Sequence, residues 1–243
     1  KGWQCFDGNP STSVCEGSWG GIVCKNKVIT GIDLRYKSLV GVIPNSLGMM
    51  TDLIYLDLHS NSLTGIIPLS VGGMISLTKL ELNNNFLTGV IPSTIVNMTR
   101  LSYLNLYHNS LSGSIPESIG AMSSLTVLDL RYNSLNGTIP PAIGEMTALK
   151  WLYMDRNSFS GSLPSSAGHM TDLQVLSLAK NSLSGTIPRS FGLMTSLSLL
   201  SLSDNSLIKS IPSAVGSMTS LRVIFMNQNS LSGTIPTALG LDG

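Results

Sequence analysis

Charge is scarce in this chain. Asp, Glu, Lys and Arg make up 11% of its 243 residues, against about 25% in ordinary soluble domains. The 14 basic and 13 acidic residues nearly cancel, which excludes a strongly basic nucleic-acid binder and an acidic tail. Histidine occurs only at His59, His108 and His169, and no apolar run comes near the ~18 residues that span a bilayer. The motifs of common catalysts are missing as well. There is no G-x-x-x-x-G-K, no H-E-x-x-H, no C-x-x-C and no G-x-G-x-x-G. His59 and His108 fall two windings of a 24-residue repeat apart, about 10 Å at strand spacing, too far to share a metal. No cofactor, metal or catalytic residue is therefore expected, and the chain reads as a non-enzyme.

With 24 glycines and 11 prolines, the chain has too many turn-formers for a helical bundle. Its positive mean hydropathy of +0.28 must then come from a core spread along its whole length. The source is an internal repeat. Coils of 24 residues begin at Ile29, Leu53, Leu77, Leu101, Leu125, Leu149, Leu173, Leu197 and Leu221, with no insertion or deletion among the nine. The pattern is L-x-x-L-x-L-x-x-N-x-L-x-G-x-I-P, followed by x-x-(apolar)-G-x-M-(T/S)-x.

Each column has a physical reading. Seven apolar side chains in one coil (Leu101, Leu104, Leu106, Leu111, Ile115, Ile119 and Met122) point one way. Full burial of each contributes about 1.5–3 kcal/mol, while ordering the backbone costs about 1–2 kcal/mol per residue. One coil alone does not fold, and stacking completes the burial. The alternation at Leu104-Asn105-Leu106 is a short half-buried strand. Parallel pairing of such strands, ~4.8 Å apart, predicts a slab about 40 Å long. The Asn column (Asn61, Asn85, Asn109, Asn133, Asn157, Asn181, Asn205 and Asn229) predicts an inward ladder bonded to backbone groups of adjacent coils. The Pro column ends each turn. The Gly column, Gly41 to Gly185 and then Gly233, suits a tight bend or a close approach. Lys209 interrupts it, which predicts a local bulge in that coil.

At N-S-L-S-G-T-I-P, Asn181 to Pro188 and again from Asn229, the sequence resembles the plant-type extracellular leucine-rich repeat family. That family includes receptor-like kinase ectodomains and polygalacturonase-inhibiting proteins. The resemblance runs over about residues 15–240. It implies a leucine-rich repeat solenoid, an α/β-type right-handed superhelix with a concave parallel β-sheet, short second strands, and 3₁₀ or irregular turns on the convex side. A column of methionines (Met50, Met74, Met98, Met122, Met146, Met170, Met194 and Met218) stands where plant repeats usually carry Leu. In this it is similar to repeats of protist surface antigens, and core filling is the expected role.

Cys15 to Cys24 nearly matches the C-x-x-x-W-x-G-V-x-C cap of the family. The resemblance implies a Cys15–Cys24 disulfide, with Trp19 as a lid, in a cap over 1–28 ahead of repeats over 29–243. Three cysteines still allow three single pairings, and Cys5 is left over as a free thiol or an intermolecular bridge. A disulfide cap places the protein outside the cell or at its surface, with any signal peptide removed. No C-terminal cap is read in the sequence, which reaches Gly240-Leu241-Asp242-Gly243 almost where the next coil would start, so the natural chain is expected to continue or a partner to cover this end.

Recognition is the expected function, because the outward places of each strand vary from coil to coil. The third, fifth, seventh and eighth places face the concave side. Aromatic and basic residues gather there between the coils at 53 and 149: Tyr55, Tyr103, Tyr107, Tyr132, Trp151 and Tyr153, with Arg131 and Arg156. His59, His108 and Asp155 complete the expected ligand-binding set. Interface hot spots are enriched in Tyr, Trp and Arg. Asp57 and Asp129 are expected to be solvated or paired with Arg35, His59 and Arg131. The partner is a protein, peptide or glycan. Two alternatives stand beside this reading. One is a secreted inhibitor of a polysaccharide-degrading enzyme, by the same resemblance. The other is a surface array or ice-binding face along Ser114, Thr138, Ser162, Thr186, Ser210 and Thr234, a row interrupted at Ile66 and Val90. Asn97-Met98-Thr99 and Asn136-Gly137-Thr138 are glycosylation sequons off the concave strands.

Overall fold

A computed structural model describes residues 20–236. The repeat folds as its columns dictate. The seven apolar residues of the coil at Leu101 are each at most 2% exposed. The corresponding residues of the coils from Leu53 to Leu173 join them in one continuous core, against which Ile211, Leu221, Ile224 and Leu231 pack partly buried toward the C-terminal end. The methionines at 74, 98, 122, 146, 170 and 194 are fully buried, as core fillers should be.

Nine parallel strands, one per coil, form the concave sheet, from Val28–Asp33 through Tyr103–Asn105 to Val223–Phe225. Their partners stand 24 residues apart, as in Val127↔Trp151 and Leu128↔Leu152, so every place of the repeat lies directly beside itself. The N-terminal edge is covered by Ile22–Lys25, which pairs antiparallel with Val28–Asp33. The two-residue turn between them puts Asn26 and Lys27 at φ 52° and 65°, the left-handed pair that a tight hairpin requires. Cys24 on this edge strand is disulfide-bonded. The Cys15 half of the expected pairing, Cys5, Trp19 and the C-terminal end lie outside the described residues.

A second sheet of seven parallel strands runs from Thr88–Val90 to Ser230–Leu231. Val40–Val42 and Ser62–Thr64 pair ahead of it, and a single Ile66↔Thr88 bridge links the two. Its partners stand 22 residues apart, as in Gly137↔Phe159. Adjacent second strands are therefore slid by two residues, which keeps the same face outward. Lys209 does not bulge. It takes φ 65°, close to the 73–76° of most of the glycines in that column, and the ladder passes through it as Lys209↔Leu231.

The convex side is built of short 3₁₀ turns such as Pro141–Glu145 and Ser165–His169. Here the second glycine column is a matter of space: a Cβ on Gly144 would stand 2.2 Å from the carbonyl oxygen of Ser166. Val96 replaces this glycine in one coil, facing Ser118, and there the next turn shrinks to three residues, Ile119–Ala121. No helix among the described residues is long and apolar enough to cross a membrane.

Candidate functional site

The concave wall is shaped by what happens just after each strand. The eighth place is left-handed in all nine coils: Tyr36, Ser60, Asn84, His108, Tyr132, Arg156, Lys180, Asp204 and Gln228 have φ between 53° and 56°. None is glycine, so each holds a conformation that L-residues avoid. In eight of the nine the adjacent Asn ladder enforces it, and in the first coil Lys37 stands in that column and donates its N–H to Asn61 Oδ1. Asn133 Oδ1 accepts the N–H of Leu111 at 3.0 Å, and its Nδ2 donates to the carbonyls of Leu106, Leu130 and Arg131. The sharp reversal aims the eighth-place side chain along the wall beside the seventh.

The fifth place then fixes the seventh. Asp57, Asn105 and Asp129 each accept the backbone N–H two residues on, at His59, Tyr107 and Arg131. Asp57 and Asp129 are only 5% exposed. Of the two states expected for these carboxylates, solvated or paired, the structure shows the paired one, with His59 and Arg131 as partners. Asp129 takes the guanidinium of Arg131 in a fork, Nε–Oδ1 at 3.0 Å and Nη2–Oδ2 at 2.6 Å. These bonds hold the Arg131 pKa above its ordinary value.

Arg131 lies between two rings, 4.5 Å from the Tyr153 centroid and 5.2 Å from that of Tyr107. Tyr107 meets Tyr132 edge-on at 5.4 Å, and Arg156 lies 4.8 Å over Tyr132. His108 packs beside Tyr107 at 5.6 Å. Tyr153, Arg131, Tyr107, Tyr132 and Arg156 thus form one file across three coils. Burial raises the Tyr153 pKa above that of an ordinary phenol, with the nearby Arg131 charge opposing it. Tyr103 shifts the same way, from burial and the Glu81 charge, and Lys79 lies over its ring at 5.3 Å.

Not all expected site residues join the file. Trp151 is half-buried and makes no ring contact among the described residues. Asp155 turns to the next coil, where its Oδ1 accepts from Ser177 Oγ at 2.5 Å and from the Ala179 N–H at 3.1 Å. Tyr55 stands over Gly31, where a Cβ would lie 2.1 Å from its ring. His59 belongs to a separate group with Asp57, Glu81 and Tyr36. The spacing of the histidines alone does not reveal that group. Adding the period to Asp57 gives Glu81, and this is the signal that would have found it. The sequon residues Asn97 and Asn136 are both exposed, on the convex turn Ser93–Asn97 and on the second-sheet strand Ser134–Thr138.

The architecture is that of a leucine-rich repeat protein. Models of the leucine-rich repeat region match residues 88–185, and those of the single leucine-rich repeat match 52–74, 76–98 and 196–218. The chain belongs to the plant-type extracellular leucine-rich repeat family. It is 38% identical to the plant peptide hormone receptor RGFR1, solved in complex with RGF2, with a TM-score of 0.83 over 84% of this chain and 33% of that one. It is 36% identical to the Arabidopsis receptor kinase HAESA, solved with the peptide hormone IDA and the co-receptor SERK1, with a TM-score of 0.85 over 96% and 40%. A plant ice-binding protein shares the fold at 24% identity, with a TM-score of 0.71 over 96% of this chain and 87% of that one. The chain therefore spans about a third of the length of RGFR1 and two fifths of that of HAESA. No curated protein matches it.

Proposed function

We propose that this chain is a non-catalytic recognition module that docks an extended peptide or protein segment along its concave wall. The observation that carries the reading is the file from Tyr153 to Arg156. Arg131 is fixed by a buried carboxylate and by two rings, so little side-chain freedom is left to lose on binding. Its charge is already answered by Asp129. It acts as a flat, half-apolar platform continuous with Tyr107 and Tyr153. Arg156, in contrast, is exposed and forms no ion pair among the described residues. It supplies the free positive end of the site, next to Lys180 one coil on. A ligand that lays aromatic or aliphatic groups over the tyrosines and an acidic group at Arg156 fits this face. The peptide-bound receptors RGFR1 and HAESA, similar over most of this chain, support a peptide over a glycan. A disulfide-bonded Cys24 and exposed sequon asparagines support a place outside the cell.

The ice-binding alternative draws no support from the ice-binding neighbour, whose likeness is one of fold. The inhibitor alternative predicts the same face with a secreted pectinase as partner, and a panel of such enzymes separates it. The direct test is selection of a displayed random-peptide library on the folded chain. Selected peptides should lose about 30-fold or more in affinity for the Tyr107→Ala/Tyr132→Ala variant, the effect of one hot spot of ~2 kcal/mol. Peptides that bind this variant and the parent equally well would move the site elsewhere.

A further inference from the structure

The N-terminal part of the concave wall carries a second constellation that the tyrosine–arginine file does not use. Asp57 and His59 stand two residues apart at the end of one strand, and Glu81 stands beside Asp57 on the next. His59 Nδ1 lies 2.6 Å from Asp57 Oδ1 and 3.9 Å from Glu81 Oε2. One donor atom from each of the three lies within 4.8 Å of the others. These are not solvated surface acids: the side chains of Asp57, His59 and Glu81 are 7%, 12% and 12% exposed.

Glu81 is the reason the group forms. Asp57, Asn105 and Asp129 fold back to cap the N–H two residues on. Glu81 is one methylene longer and makes no such bond among the described residues. Its carboxylate reaches sideways, to His59 of the preceding coil and to Lys79. Two residues on, Asn83 is 8% exposed, and its Oδ1 has no hydrogen-bond partner. Asn83 holds in its coil the place that His59 holds in the neighbouring one, about one strand spacing (~4.8 Å) away.

Among the described residues, the carboxylates of Asp33, Asp57 and Glu81 are met by the side chains of Arg35 and Lys79: Arg35 lies 3.0 Å from Asp33 and 3.9 Å from Asp57, and Lys79 pairs with Glu81. Three carboxylates thus stand together, two of them nearly buried, where negative charge is costly unless a cation answers it.

We propose that Asp57, His59 and Glu81 form a binding site for a divalent transition-metal ion of the zinc type, with Asn83 Oδ1 as a fourth protein donor. Donors bound at about 2.0–2.1 Å around a tetrahedral zinc stand roughly 3.3 Å from one another. The separations here bracket that value, so small side-chain rotations close the shell. One imidazole among carboxylates suits zinc, cobalt or manganese better than calcium or magnesium, which take oxygen donors. Lys79 is the competing cation. Its side chain is 46% exposed and already leans over the Tyr103 ring, so it withdraws without being stranded.

The test uses the metal alone and is independent of any peptide ligand. Co²⁺ is titrated into the folded chain and followed by its visible d–d absorption, and Zn²⁺ by calorimetry. One equivalent is expected to bind. His59→Gln and the double change Asp57→Asn/Glu81→Gln should each abolish the signal, while His169→Gln on the convex side leaves it unchanged. Asp57→Asn keeps an oxygen to accept the His59 N–H, and circular dichroism confirms that each variant folds. Lys79→Met should tighten binding by removing the competitor, an effect that a purely structural ion-pair cluster does not give. Absence of saturable binding, binding unaltered by His59→Gln, or weaker binding in Lys79→Met would each overturn the proposal.

Discussion

The concave and lateral sheets are cut from the same repeat, yet they differ in what stacking demands of their outward side chains. In the lateral sheet the hydroxyls of Thr64, Thr88, Ser112, Ser160 and Ser184 each donate to the glycine carbonyl one coil back, at 3.2–3.4 Å. Where the Ser/Thr row next to them stops, Val42, Ile66 and Val90 stack over the glycines of the following coils. The lateral face thus repeats because each coil is fastened through it to the last. On the concave sheet the coils are fastened by backbone bonds and the Asn ladder. Apart from Asp155, whose carboxylate accepts the Ala179 N–H and the Ser177 hydroxyl of the next coil, the side chains of the third and seventh places take no part in that fastening. They are free to vary, the third being Lys79, Tyr103, Val127 and Trp151 in turn, and so a binding surface can be written there without loosening the solenoid.

The sharpest way to break this comparison is to remove what both faces share. Asn85 bonds the concave side through the carbonyls of Leu58 and Leu82 and the lateral side through the N–H of Leu63, which lies in the strand Ser62–Thr64. Asn85→Ala leaves several buried backbone groups without partners, at about 1–3 kcal/mol each. We expect a loss of about 3 kcal/mol or more in urea unfolding, larger than that of Asp129→Ala on the concave face or Ser160→Ala on the lateral one. Asp129→Ala comes next and touches one face only. It removes four hydrogen bonds that Arg131 donates to the carboxylate, of which the guanidinium end is over a third exposed and screened by solvent. The expected cost is about 2 kcal/mol, with near-ultraviolet dichroism of Tyr107 and Tyr153 altered as the guanidinium leaves their rings. An unchanged tyrosine signal would show that the rings hold the platform without the carboxylate.

Much of this was legible from residues alone. Leucines at 101, 104, 106 and 111 recur at a fixed period, and a period of 24 with no insertion translates directly into coils in register. What the period does not carry is the sideways offset of the second sheet. Its pairing of Asn136 with Ser158 rather than Ser160 arises from the slant of one coil on the next. The left-handed eighth place was hidden because Tyr36, Tyr132 and Arg156 have no preference for it. The Asn ladder imposes it from the following position in every coil but the first, where Lys37 follows Tyr36 and donates its N–H to Asn61 Oδ1. Burial of Asp57 and Asp129 was hidden because L-D-L reads as an outward polar place, whereas the carboxylates fold under His59 and Arg131. The membership of the tyrosine file was half legible. The columns put Tyr107, Arg131 and Tyr153 on one wall, but only the side-chain geometry separates them from Trp151 and Tyr55.

Lys209 gives a smaller test, within the lateral sheet. It holds φ 65° in a column otherwise served by glycine. A left-handed L-residue costs about 1–2 kcal/mol, and glycine gives back roughly 0.5–1 kcal/mol through its freer unfolded chain. Lys209→Gly should therefore stabilise the protein by about 1 kcal/mol or less, seen as a higher urea midpoint at unchanged slope. A loss of stability would mean that the lysine stem contributes more by packing than its backbone costs.

The smallest expected effect is the one that most sharpens the contrast between the faces. Ser160→Ala deletes a hydroxyl that donates to the Gly137 carbonyl at 3.4 Å, a long bond at a half-buried site. Such a bond is worth about 0.5 kcal/mol at most, and the pairing of Ser160 with Thr138 survives through the backbone. The change alone should scarcely move the unfolding midpoint. Combined with Ser112→Ala and Ser184→Ala, it should add up in proportion, because each hydroxyl fastens a different pair of coils. A triple variant that loses much more than three single effects would show that the lateral hydroxyls act as one cooperative ladder. The fastening would then be held chiefly on that side, and the concave wall would owe its freedom to it.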